Sequence, residues 1–108
     1  TLLQFMLEDD YHVVTFKTGF ELLSNINQLS PDLFVLDVNL PGMNGLDVCR
    51  EVKSNDRFRS TPVVFVSALA YKDDVKAGID AGASRYFTKP LDDSEFLPEI
   101  KRLIKTTH

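Results

Sequence analysis

The sequence predicts a three-layer α/β domain built on a parallel sheet, and two features carry that prediction. Stretches with apolar residues at helical spacing alternate along the chain with short apolar runs of strand length. Those runs, such as Leu33-Phe34-Val35-Leu36 and Val63-Val64-Phe65-Val66, are apolar without alternation, the mark of strands covered on both faces. Helices between successive strands are the crossovers that parallel strands require. Right-handed crossovers lay those helices on both sides of the sheet.

Taken in order, Thr1 to Glu8 (Leu2, Leu3, Phe5, Met6, Leu7) is expected to be a helix or its final turns. Glu8-Asp9-Asp10 forms a polar turn, and Val13-Val14-Thr15-Phe16 is a short β-branched run of strand type. Thr18-Gly19 opens a second helix carrying Phe20, Leu22, Leu23, Ile26 and Leu29, which Ser30-Pro31 closes. A strand from Leu33 to Val38 follows. Asn44-Gly45 starts a third helix with Leu46, Cys49 and Val52 on one face and Asp47, Arg50, Glu51 and Lys53 outside. Thr61 to Ser67 reads as another buried strand. A weaker helix spans about Lys72 to Ala81, anchored by Val75 and Ile79, with Gly82 placed as its C-terminal cap. Ala83 to Thr88 is the last strand. The final helix, Asp93 to Lys105, is expected to bury Phe96, Leu97, Ile100, Leu103 and Ile104, with Pro98 in its first turns, where a missing N–H costs least.

Composition narrows the function. A chain of 108 residues holds one domain with a single core. Its 44% hydrophobic and 26% charged residues are ordinary for a globular protein. No apolar run approaches a membrane span and no signal-peptide pattern is present, so no membrane contact is expected. The lone cysteine, Cys49, excludes an internal disulfide and a multi-cysteine metal site, and its place on an apolar helix face marks it as packing. A net charge of −4 argues against direct nucleic-acid binding by this domain. The chain starts at Thr1 rather than Met, so residues upstream are expected.

Three successive strands end in a chemically distinctive side chain: Asp37, Ser67 and Lys89. Parallel strands bring their carboxyl ends to one edge, where ligands collect in open α/β sheets. A carboxylate can attack phosphorus to form an acyl phosphate. An ammonium can neutralise phosphoryl oxygens, and a hydroxyl can donate to one of them. Each has a plainer role in isolation: Asp37 as a turn cap, Ser67 as a cap hydroxyl, Lys89 as a solvated cation.

Together with their surroundings these residues resemble the receiver domain of two-component response regulators, and the match runs the length of the chain. Leu36-Asp37-Val38-Asn39-Leu40-Pro41-Gly42-Met43-Asn44-Gly45 is similar to the family's phosphoacceptor loop. Val63-Val64-Phe65-Val66-Ser67-Ala68 resembles its switch strand, and Tyr86-Phe87-Thr88-Lys89-Pro90 resembles its Lys-Pro loop, where a cis peptide is usual. The resemblance implies a flavodoxin-like doubly wound sheet of strand order 2-1-3-4-5. It implies that Asp37 accepts a phosphoryl group from a sensor histidine kinase or a phosphotransfer protein, that Lys89 holds it, and that Ser67 bonds one of its oxygens. Tyr86 would rotate inward behind Ser67. Mg²⁺ would be bound by Asp37 and the backbone carbonyl of Asn39. The implied protein is a cytoplasmic signalling switch rather than an enzyme, with self-catalysed phosphorylation and dephosphorylation. Its changed surface would include Lys76, Asp80, Arg85, Lys101 and Arg102. A homodimer through the helix at 72–81, the last strand and the last helix, or by strand exchange, is a further expectation.

One family feature has no counterpart in this chain. The resemblance implies a central first strand ending in an acidic pair that helps hold Mg²⁺. Glu8-Asp9-Asp10 looks like that pair, but Val13 follows Asp10 within three residues, leaving no room for the intervening helix. Residues 1–108 are therefore expected to be a receiver domain lacking its first strand and remaining acidic ligands. Each large side chain buried on such a strand contributes about 1.5–3 kcal/mol. Three or four of them would rival a domain's net stability of roughly 5–15 kcal/mol. Such a chain should be marginal, aggregate, or borrow a strand.

Other readings are weaker. Asp37 to Gly42 superficially resembles an EF-hand loop, but its fifth position is Pro41 and its twelfth is Val48 rather than glutamate. An aspartate-nucleophile phosphatase would need a second carboxylate where Asn39 stands. Flavin binding lacks the Ser/Thr-rich phosphate loop. A pseudo-receiver, an interaction module of the same fold without phosphoryl chemistry, is the alternative motivated by the missing acidic pair.

Overall fold

The computed structural model describes residues 7–8, 11–40 and 42–106. The strands are β1 (Phe34–Leu36), β2 (Val63–Ser67) and β3 (Arg85–Thr88). They form a parallel sheet of order β1-β2-β3, with Phe34 opposite Val63 and Phe65 opposite Tyr86. The helices are α1 (Gly19–Asn25, continued by a 3₁₀ turn over Ile26–Gln28), α2 (Gly45–Ser54), α3 (Lys72–Asp80) and α4 (Asp93–Thr106). Leu7 and Glu8 are helical, as expected at the end of the first helix; Asp9, Asp10 and the rest of that helix lie outside the described residues.

Continuous apolar strands imply two covered faces, and two cores are found. On one face Leu22 and Ile26 of α1 and Val48, Cys49 and Val52 of α2 pack on Phe34, Leu36, Val63 and Phe65. On the other, Phe96, Ile100 and Leu103 of α4 join Leu7 against Val64, Val66 and Phe87. Successive residues of β2 point to opposite faces, so this strand feeds both cores, and all five of its residues are buried.

Local sequence sets the helix ends. Thr18 Oγ1 accepts the Glu21 N–H at 3.0 Å, and Asn44 Oδ1 accepts that of Leu46 at 2.7 Å, each capping a helix start. After α3, Gly82 takes φ +114 and donates to Ile79 O at 3.0 Å, while Ala83 donates to Gly78 O at 3.3 Å. This is a Schellman closure, and it needs the left-handed residue that glycine supplies. Pro98 lies in the second turn of α4, within the first turns where it is expected.

Three expectations are corrected. Val13–Phe16 is not a strand: among the described residues no main-chain hydrogen bond joins it to the sheet. A strand exists only beside another. Here a cavity of about 620 Å³, lined by Leu7, Val13, Phe16, Leu33, Val35 and Ile104 among others, lies between this segment and β1. Ile79 does not anchor α3 but is 43% exposed; the buried residue of that helix is Gly78. Phe20, read as part of the apolar face of α1, is 75% exposed in its first turn.

Candidate functional site

The three strand ends converge as the parallel topology requires. Asp37 directly follows β1, Ser67 ends β2, and Lys89 directly follows β3. Lys89 Nζ lies 2.9 Å from Asp37 Oδ2, although 52 residues separate them. Ser67 is fully buried. Its main-chain carbonyl accepts the Lys89 N–H at 2.8 Å, tying the strand end to the loop that carries the lysine. The Lys89-Pro90 peptide bond is cis.

The loop after β1 is shaped around the carboxylate. Asn39 N–H donates to Asp37 Oδ1 at 3.0 Å, closing a short Asx turn. Gly45 donates to Val38 O at 2.8 Å. A Cβ on Gly45 would stand 2.0 Å from the Asp37 carbonyl oxygen, so only glycine lets the start of α2 approach the strand end so closely. In the sequence Gly45 is a helix opener; its contact with the Asp37 carbonyl arises only in three dimensions.

The electrostatics favour an ionised Asp37. Burial, the largest single influence, pushes its pKa up. The hydrogen bond from Lys89, the N–H of Asn39, the Lys89 charge and the Ser67 hydroxyl together outweigh it, and the carboxyl is held below its ordinary value. The ion pair is half in solvent, with the Lys89 side chain 51% exposed and that of Asp37 28%.

Tyr86 stands on β3 one strand over, half-buried against Phe65 with ring centroids 5.9 Å apart. Its hydroxyl donates to the Leu69 carbonyl at 2.6 Å, and the Leu69 N–H donates to Ser67 Oγ at 3.1 Å. Nothing in the sequence singles out Leu69. Its part lies in its main chain, which leaves no side-chain signal. Cys49 is buried as expected, its thiol near Ala81 O at 3.4 Å and its pKa pushed up by burial, so it is a neutral packing group.

Of the residues expected on the changed surface, Arg85 and Arg102 share one carboxylate. Arg85 lies 3.2 Å from Glu99 and 3.8 Å from Glu95, and Arg102 also pairs with Glu99. Lys76 pairs with Asp80 at 3.4 Å on α3. Among the described residues no group of three His, Cys, Asp or Glu side chains gathers to hold a metal. The Asp37 carboxylate is an oxygen donor of the type that suits a hard divalent cation.

Comparisons with known proteins bear on this geometry. The sequence profile described as the response regulator receiver domain matches residues 1–101. The response regulator PleD of Caulobacter vibrioides is 37% identical over 95 residues, covering 88% of this chain and 21% of PleD. The chain thus spans about a fifth of that relative. A solved signal receiver domain of a histidine kinase from Syntrophus aciditrophicus is 30% identical with a TM-score of 0.87, over 97% of this chain and 80% of that one. The Mn²⁺-bound form of response regulator Rcp1 is 27% identical with a TM-score of 0.74, over 98% of this chain and 78% of the other.

Proposed function

The chain belongs to the response regulator receiver domain family, and from that membership we propose that Asp37 is a phosphoacceptor charged by a phosphohistidine of a sensor kinase or phosphotransfer protein. The observation that carries the reading is the 2.9 Å approach of Lys89 to Asp37 beside the buried Ser67 hydroxyl. One carboxylate oxygen attacks phosphorus as the bond from phosphorus to the donor imidazole nitrogen breaks. That nitrogen keeps the electron pair and takes a proton. The Lys89 ammonium balances charge on the transferred oxygens, which phosphoryl transfer demands more than covalent help. Attack of water on phosphorus later releases phosphate and restores the carboxylate.

Asp37 and the carbonyl of Asn39 would hold a divalent cation, Mg²⁺ by resemblance. When bound it neutralises phosphoryl charge. Phosphate on Asp37 would bias a two-state equilibrium, because Ser67 and Lys89 reach it in one arrangement only. The surface of α3, β3 and α4, with Lys76, Asp80, Arg85, Lys101 and Arg102, would read that change out. Homodimerisation through this face belongs to the same proposal and would appear as a mass increase in sedimentation after phosphodonor treatment.

The test is transfer of ³²P from acetyl phosphate in Mg²⁺ to wild type and Asp37→Ala. Label on wild type that the variant lacks, stable to acid and labile to alkali, is expected. Equal labelling overturns the assignment. Two equally unlabelled proteins point to the interaction module without phosphoryl chemistry.

A further inference from the structure

Glycine in a helix interior is unfavourable, so a buried one has to be explained by what lies against it. Gly78 is the buried residue of α3. A Cβ placed on it would stand 2.7 Å from Tyr86 Cδ2 and 3.1 Å from both Tyr86 Cε2 and Phe65 Cδ2. The first distance is shorter than side chains tolerate, so an alanine would force something to move. Phe65 cannot: it is fully buried on the central strand. Tyr86 can, because its ring is half-buried at the sheet edge and is kept there by one hydrogen bond, from its hydroxyl to Leu69 O at 2.6 Å.

The consequence reaches the strand ends. Leu69 N–H donates to Ser67 Oγ at 3.1 Å, so the peptide segment that Tyr86 pins is the one that orients the Ser67 hydroxyl. As the acceptor of the Leu69 N–H, that hydroxyl keeps its own proton to donate, and it stands at the end of β2, beside the strand end that carries Asp37. We infer that Gly78 is a positioning residue. Its missing side chain is the seat that keeps Tyr86 inward, and through Leu69 it sets the Ser67 hydroxyl beside Asp37. The inference rests on the phosphoacceptor reading for its functional meaning, but its structural test does not.

That test is Gly78→Ala followed by NMR, with 3-fluorotyrosine reporting Tyr86 and ¹⁵N reporting the Leu69 and Ser67 amides. Helix propensity alone would make the alanine stabilising and leave the tyrosine untouched. The seat predicts the reverse: the Tyr86 signal moves to that of a solvent-exposed ring, both amides shift, and Tm falls. In a Tyr86→Ala background the ring is gone, so adding Gly78→Ala should raise Tm. A Gly78→Ala chain with higher Tm and an unmoved Tyr86 signal overturns the inference. So does a moved ring with unshifted Ser67 and Leu69 amides. Should Gly78→Ala fail to fold, the double variant decides: if it folds with Tm above Tyr86→Ala alone the seat stands, and if it does not the seat is wrong. If wild type takes ³²P, Gly78→Ala should take it about tenfold more slowly, the effect of losing one hydrogen bond. Unlabelled wild type would sink the Asp37 reading while leaving the ring and amide outcomes intact.

Discussion

Replacing Lys89 with methionine removes the ammonium and keeps most of the stem, so it isolates the charge facing Asp37. Two fixed charges 2.9 Å apart at an effective dielectric of about 20 would attract by about 6 kcal/mol. Little of that survives. The lysine side chain is 51% exposed, and solvent together with the entropy of a long side chain reduces such a pair to about 1 kcal/mol. The pH dependence identifies the source. Asp37 is held below its ordinary pKa of 3.8 in the folded chain. Its pairing therefore stabilises the fold above that value, and this contribution is lost as the pH falls through the folded pKa. Urea unfolding of wild type and Lys89→Met at neutral pH should differ by about 1 kcal/mol, or about 5 °C in Tm for a chain of this size. The difference should shrink toward zero once Asp37 is protonated. An unchanged difference in acid would refute the argument, because the loss would then come from lysine packing and not from its charge on Asp37.

Other substitutions separate the remaining contributions. Gly45→Ala sets a methyl 2.0 Å from the Asp37 carbonyl oxygen and should cost more than about 3 kcal/mol by denaturant titration, or prevent folding. Phe96→Ala removes a fully buried ring that packs edge-on against Phe87 at 5.0 Å; a loss of about 3–5 kcal/mol is expected. Tyr86→Phe keeps the ring and deletes the hydroxyl bond to Leu69, so stability should fall by about 1 kcal/mol. Lys53→Met removes the donor that reaches Arg59 O and Thr61 O, each at 2.8 Å. It should cost about 1–3 kcal/mol and raise hydrogen exchange in the turn at Asp56–Phe58.

Strand and helix order could be read from the sequence because burial on two faces leaves an unbroken apolar run, as in Leu33–Leu36 and Val63–Val66, while Arg85–Thr88 shows itself by the aromatic pair Tyr86-Phe87 between helix and Lys-Pro loop. Asp37, Ser67 and Lys89 could be grouped because each stands at the end of a strand and parallel strands end together. Val13–Phe16 misled for a physical reason: β-branched composition favours a strand, but a strand also needs an edge to pair with, and composition does not report the edge. Ile79 and Gly78 exchanged roles because helical periodicity assumes that larger side chains turn inward. Here an aromatic ring from the sheet occupies the space, and the helix approaches with its smallest residue. Leu69 was invisible because it acts through its peptide groups.

The unbroken burial of β2 sets how motion is distributed among the three corners of the site. Paired on both edges and feeding both cores, that strand should hold the slowest-exchanging amides of the domain, with Ser67 at its tip. Asp37 follows directly after a strand paired on one side among the described residues, and Lys89 lies on an exposed loop. The site is therefore one fixed post with two adjustable arms, and a rearrangement there would pivot about the end of β2.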